Sequence, residues 1–142
     1  MLSQTSEYAL RAAVCLAANP QEPKKTKDIA LVTKVSSGYL SKVLQTLARA
    51  GLVESQRGLH GGFRLARDPS EVTVFEVVNA VDPMARIHTC PLGLKAHGNA
   101  LCALHRKLDD AYRDLAEAFR SSTLADLLSD ENPSKPLCSI RS

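Results

Sequence analysis

The chain has 142 residues, 44% hydrophobic and 23% charged, with a formal net charge of +3; that is the length of one domain with ample apolar material for a core, which excludes general disorder. The longest apolar run, residues 9–18, is broken by Arg11, so nothing approaches the roughly 18 uninterrupted apolar residues of a membrane helix. Three Tyr, three Phe and no Trp argue against a stacking platform for single-stranded nucleic acid.

Residues 3 to 18 predict a helix: Ser3 or Thr5 can cap it, Ala, Leu and Val dominate it, and Asn19-Pro20 stops it. Residues 20–25 are a polar loop with two prolines and two lysines. Thr26 can cap a short helix to about Lys34, and Ser36 or Ser37 can cap the next. In that next helix Leu40, Val43, Leu44 and Leu47 fall three and four apart, a single apolar stripe, and Gly51 ends it. Residues 52–56 and 63–66 predict two short strands, joined by Arg57-Gly58-Leu59-His60-Gly61-Gly62, a tip too long for a two-residue turn. Thr73-Val74-Phe75-Glu76 has the form of a capping box and opens a helix that Asp82-Pro83 closes.

Residues 84–98 lose periodicity and read as a loop carrying His88, Cys90 and His97. From about Asn99 to Arg120 a long helix is predicted: Leu101, Leu104, Leu108, Tyr112, Leu115 and Phe119 recur at three or four residues. A helix of about 20 residues spans about 30 Å, more than a small winged domain needs to cover its own core, so this stripe is expected to meet another chain. Residues 123–128 predict one more short helix. The domain division follows: 1–82 a winged helix-turn-helix region, 83–98 a sensor loop, 99–128 a dimerisation helix with a short terminal helix, and 129–142 a tail.

Charge is spread unevenly along this plan. Residues 1–70 hold ten Lys and Arg against five Asp and Glu, whereas residues 71–142 hold eight against ten. A basic first half points to a polyanion. Helix, turn, helix and glycine-tipped hairpin make a mostly α winged helix-turn-helix fold whose second helix enters the major groove of double-stranded DNA. Opposite its apolar stripe that helix presents Ser37, Gly38, Tyr39, Ser41, Lys42, Gln45, Thr46 and Arg49, with no acidic residue from 36 to 51. Lys42 and Gln45 are assigned to base edges and Arg49 to the backbone. At the wing, Arg57 can enter the minor groove, with Gly58, His60, Gly61 and Gly62 allowing close approach. Amphipathic helices with polar outer faces are ordinary, so a protein-interaction module acting through the long apolar helix is the alternative from another class. An enzyme is disfavoured: the chain has no Walker loop, nucleotide-binding glycine fingerprint or Cys-x-x-Cys pair.

The segments Ser6-Glu-Tyr-Ala-Leu-Arg11, Asp28-Ile-Ala, Ser37-Gly-Tyr-Leu, Leu44-Gln-Thr-Leu-Ala-Arg-Ala-Gly-Leu-Val53, Arg57-Gly-x-x-Gly-Gly-Phe-Arg-Leu-Ala66 and Val77-Val-Asn-Ala-Val-Asp82 resemble the IscR/NsrR/CymR family of dimeric bacterial transcription regulators. The resemblance runs in order to about Leu128. It implies a homodimer clasped by the long helix on a roughly palindromic operator, and in many members an iron–sulfur cluster between that helix and the preceding loop.

Cluster-binding members carry three cysteines there. This chain has the outer two, Cys90 and Cys102, with Ala96 in the middle place and His97 beside it. The resemblance also matches His105 to a histidine ligand and Glu7 to a carboxylate donated across the dimer. The implied set is Cys90, Cys102, one of His97 or His105, and Glu7 of the partner subunit, which favours 2Fe–2S, with zinc chemically as acceptable. A Cys90–Cys102 thiol switch or an inert, degenerate site is the alternative. Cys15, inside an apolar helix, reads as a buried small side chain, and Cys138 in the tail as an incidental thiol. With no export segment at the N-terminus, a cytoplasmic repressor sensing redox state, nitric oxide or iron–sulfur supply is expected. It would act by shifting the separation of two recognition helices, which must match half-sites about 34–36 Å apart.

Overall fold

The computed structural model describes residues 2–89, 92–93 and 100–129. The first helix, α1 (Gln4–Ala18), starts at Ser3, whose hydroxyl accepts the Ser6 N–H at 3.1 Å. Two helices then form the helix-turn-helix, α2 (Thr26–Thr33) and α3 (Ser37–Arg49), the latter capped by Ser36. Thr26 is not the cap of α2. Lys25 occupies that position and supplies no capping oxygen, while Thr26 is already helical. At the other end Lys34 adopts the left-handed conformation with φ 58°, and its N–H closes on the Ala30 carbonyl. A non-glycine residue there carries a steric cost.

The wing pairs β1 (Val53–Gln56) antiparallel with β2 (Gly62–Leu65), Val53 opposite Leu65 and Gln56 opposite Gly62. Residues 20–25 are more than a connecting loop. The Lys24 N–H donates to the Phe63 carbonyl at 2.9 Å, and the Phe63 N–H to the Lys24 carbonyl at 2.8 Å. This bridge requires Gly62, at φ 146°, because a Cβ there would overlap the Lys24 backbone. At Gly61 a Cβ would overlap the Gln56 carbonyl. Both glycines are therefore explained by the turn and the bridge themselves.

The capping box is formed in full at α4 (Val74–Val81): Thr73 Oγ1 accepts the Glu76 N–H at 3.1 Å, and a Glu76 carboxylate oxygen accepts the Thr73 N–H at 3.0 Å. The core gathers around α1, whose Ala9, Ala12 and Leu16 are wholly buried against Ile29, Leu40, Leu44, Leu47 and Val77. The long helix, α5 (Ala103–Arg120), begins later than periodicity predicts, because residues 100–102 are not helical and Cys102 is its extended N-cap. A last helix, α6 (Leu124–Ser129), returns to the body. Leu124 is fully buried there and its N–H donates to the Val72 carbonyl at 2.9 Å. The 1–82 region thus shares its core with a residue from the far end of the chain.

Along its 18 residues α5 buries only Asp109 and Ala116. Leu104, Leu108, Tyr112 and Leu115 stand exposed at spacings of three and four. Leu115 borders the start of α1 and Tyr112 the 83–89 segment, yet all four remain more than a third exposed.

Candidate nucleic-acid interface and sensor site

On α3 the residues assigned to DNA, Ser37, Gly38, Tyr39, Lys42, Gln45 and Arg49, are exposed, and Ser41 is half-buried. The stripe behind them, Leu40, Val43, Leu44 and Leu47, is buried, so the helix is held by its apolar face with its polar face outward. Arg49 reaches back to Thr46 Oγ1 at 3.3 Å, and that hydroxyl donates to the Lys42 carbonyl at 3.0 Å. At the wing tip Arg57, Gly58, Leu59 and His60 are exposed, whereas Gly61 is buried beneath the turn. Leu59, at 81% exposure, is the most exposed large apolar side chain among the described residues.

Among the described residues Lys42, Arg49 and Arg57 have no carboxylate partner, while Arg64 pairs with Glu54, Arg67 with Glu76, Arg86 with Asp109 and Arg113 with Asp110 and Asp114. Lys24, Lys25, Lys27, Lys34, Arg106, Lys107 and Arg120 are likewise without a carboxylate partner, so what sets Lys42, Arg49 and Arg57 apart is that they stand exposed on the recognition helix and the wing tip. A cation without an internal partner keeps its full attraction for phosphate.

Sequence reasoning also missed a brace on the start of α3. The Tyr39 hydroxyl shares a hydrogen bond with Thr5 Oγ1, and the Tyr39 ring meets Tyr8 edge-on, 5.4 Å between centroids. Arg11 lies 5.5 Å over the Tyr8 ring, donates to the Thr33 carbonyl at 3.1 Å and pairs with Glu7 at 3.1 Å. A polar stripe on α1 therefore sets the pose of α2 and α3. The signal was present as Thr5, Tyr8 and Arg11 on one helical face, but its targets are 22 and more residues away in the chain.

The ligand set is only partly within the described residues, since Cys90 and His97 lie outside them, as does the tail thiol Cys138. Cys102, half-buried at the start of α5, has its sulfur 3.3 Å from His105 Nδ1. That is a soft and a borderline donor side by side, fitting one edge of a zinc or iron–sulfur site. Among the described residues no group of three or more His, Cys, Asp or Glu could hold a metal ion. Glu7 stands beside Leu115 and Phe119 in a cleft of about 730 Å³ that also involves Leu2, Ser3 and Gln4. Thirteen residues of helix separate Leu115 from Cys102, about 20 Å, so the structure does not bring Glu7 together with Cys102 within one chain. Cys15 is buried in α1, and burial pushes its thiol up, with Lys24 pulling weakly the other way.

A carboxylate that was not singled out holds the approach to the loop. Asp109 is buried, and both its oxygens accept from Arg86, at 2.6 Å from Nε and 2.5 Å from Nη2. It also accepts the Ile87 N–H at 2.8 Å. Arg86 holds the Asp109 carboxyl down to about 2, against the opposing effect of desolvation and with help from the Ile87 N–H.

Fold and surface together define a winged helix-turn-helix protein whose recognition helix and wing are cationic. The chain belongs to the Rrf2 family: the family model, described as an iron-dependent transcriptional regulator, matches residues 2–130. It is 36% identical over 135 residues to the HTH-type transcriptional regulator NsrR of Geobacillus kaustophilus, covering 91% of this chain and 90% of that one. Among solved structures it is similar to IscR of T. potens, with TM-score 0.77, 26% identity and coverage of 94% and 91%. CymR (YrzC), titled the global cysteine regulator of B. subtilis, matches with TM-score 0.73, 25% identity and coverage of 89% and 95%. The protein is therefore a DNA-binding transcription regulator, and its relatives are regulators and not enzymes. No helix among the described residues is long and apolar enough to cross a membrane.

Proposed function

We propose that the chain acts in the cytoplasm as a homodimer on a roughly palindromic operator, as a repressor whose DNA affinity is set by the state of Cys90 and Cys102. The reading rests on one observation above others: Lys42, Arg49 and Arg57 stand exposed and without carboxylate partners on the recognition helix and wing tip, and α3 carries no acidic residue. In this reading Lys42 and Gln45 meet base edges with Ser37, Tyr39 and Ser41 at the helix start, and Arg57, Gly58 and His60 meet the minor groove. Gly61 and Gly62 shape the tip without touching DNA. The exposed Leu104, Leu108, Tyr112 and Leu115 of α5 pack against a second copy, which supports treating residues 83–98 as a sensor loop between reading head and dimer helix.

At the sensor, Cys102 and His105 supply two donors, Cys90 a third, and Glu7 of the partner subunit a fourth, with His97 as the alternative nitrogen. An iron–sulfur centre bound there would supply sensitivity to redox state or nitric oxide. The description of the family as iron-dependent supports this reading. The second reading, a cluster-free regulator using a Cys90–Cys102 disulfide or zinc, is favoured by Ala96 standing where cluster-binding members carry a thiolate.

The tests are direct. Anaerobic purification should give a coloured protein with iron and sulfide; a colourless protein without either after reconstitution removes the cluster. Lys42→Ala and Arg57→Ala should each weaken operator binding about tenfold, and loss of a phosphate contact should lower the salt slope by about 1. An absence of DNA affinity at low salt would leave the protein-interaction module standing.

A further inference from the structure

Leu59 contributes nothing to the body that carries it: the side chain is 81% exposed and belongs to no part of the core. Single exposed leucines are ordinary, and Leu31 on α2 is nearly as bare. What sets Leu59 apart is how it is held. The Gly61 N–H donates to the Gly58 carbonyl at 3.0 Å, which closes a turn with Leu59 and His60 as its two corner residues. Gly58 enters that turn at φ 107°, and Gly61 lies too close to the Gln56 carbonyl to carry a Cβ. Below the turn the strands pair from Gln56 opposite Gly62 to Val53 opposite Leu65, and Lys24 ties the far edge at Phe63. The backbone that presents Leu59 is therefore fixed before any partner arrives, which lowers the ordering cost of a contact there.

Its surroundings name the partner. Arg57 and His60 flank it in the open, and no acidic residue occurs from 55 to 67. The tip offers a polyanion one apolar side chain between a cation and an imidazole. The minor groove is about 6 Å wide, so a corner side chain fits where a two-stranded hairpin does not. On the floor of that groove G·C differs from A·T by one added group, the guanine 2-amino donor. An isobutyl side chain gives that donor no acceptor and displaces the water that would serve it, so the amino group is buried unpaired. The acceptors on the floor are common to both pairs and do not discriminate.

We propose that Leu59 is a specificity-determining residue of the wing, which bars G·C from the base pairs under the tip by leaving the guanine 2-amino group without a partner. Arg57 supplies the attraction to the groove and Leu59 the rejection, a division that specific interfaces commonly use. The proposal rests on the reading that the wing enters the minor groove.

The test uses the full-length protein and an operator selected with it from random duplexes. Each A·T pair is replaced in turn by G·C and by inosine·C, two pairs that are alike in the major groove and differ in the minor groove by the 2-amino group alone. At the positions under the tip the parent should bind the G·C form about tenfold more weakly than the inosine·C form. Leu59→Asn, whose amide oxygen can accept from the amino group, and Leu59→Ala, which leaves room for water, should each bring that ratio to within about twofold. Their melting temperatures should match the parent, because the side chain lies outside the core. Ratios that stay near tenfold in both Leu59 variants would overturn the role of Leu59 and leave the wing in the groove. Equal binding of the two forms at every position in the parent would also overturn it. If adenine N3, on the floor of the minor groove, is in addition open to dimethyl sulfate throughout the complex, the wing reading falls as well.

Discussion

The winged body and the long helix are stabilised in opposite ways. In the body, α1 is sheathed by α2, α3, α4 and α6, and its Ala9, Ala12 and Leu16 have no contact with solvent. Eighteen residues of α5, in contrast, bury one carboxylate and one alanine and leave four large apolar side chains exposed. The body is complete within one chain. The helix keeps an apolar stripe exposed, and in the proposed dimer that stripe would let the reach between two reading heads change without unfolding either.

The contrast can be broken from either side. Leu44→Ala, in the body, should cost about 3 kcal/mol of unfolding free energy through lost transfer and a residual cavity, seen as a lower denaturant midpoint. Leu108→Glu, on the helix, should leave that midpoint nearly unchanged. It should instead convert the dimer to monomers in sedimentation and weaken operator binding about 100-fold, because two linked reading heads become one. A helix variant that unfolds the body as severely as Leu44→Ala would erase the distinction.

Acid sharpens the comparison further. The Asp109 carboxyl is lowered from its ordinary 3.8 to about 2, so its contribution is fully present above 3.8 and lost as pH falls through about 2. An NMR titration of its carboxyl carbon should show a midpoint near 2. The smallest effect belongs to the turn between α2 and α3. Lys34→Gly, which relieves a left-handed non-glycine residue at φ 58°, should raise stability by about 0.5 kcal/mol.

The reading helix was legible because its signals are local. Ser36 as cap, a stripe at three and four, and a polar face without acids all lie within 16 consecutive residues. The capping box at Thr73 and Glu76 was legible for the same reason. Of the proposed ligand set, the contact between Cys102 and His105 was legible, because residues three apart at a helix start are neighbours. What pairs with Asp109 was not legible, because Arg86 lies 23 residues away across a segment without periodicity.

Sequence alone determined the order of elements, the winged helix-turn-helix plan and which face of α3 is polar, since caps, periodicity and glycine positions act over a few residues. Tertiary structure decided the late start of α5 at Ala103, the burial of Leu124 in the first region's core, the Lys24–Phe63 bridge that makes Gly62 obligatory, and the Arg86–Asp109 tie. Each of these needs two distant stretches of backbone to arrive at one place, and that meeting is fixed by the packing of the whole core.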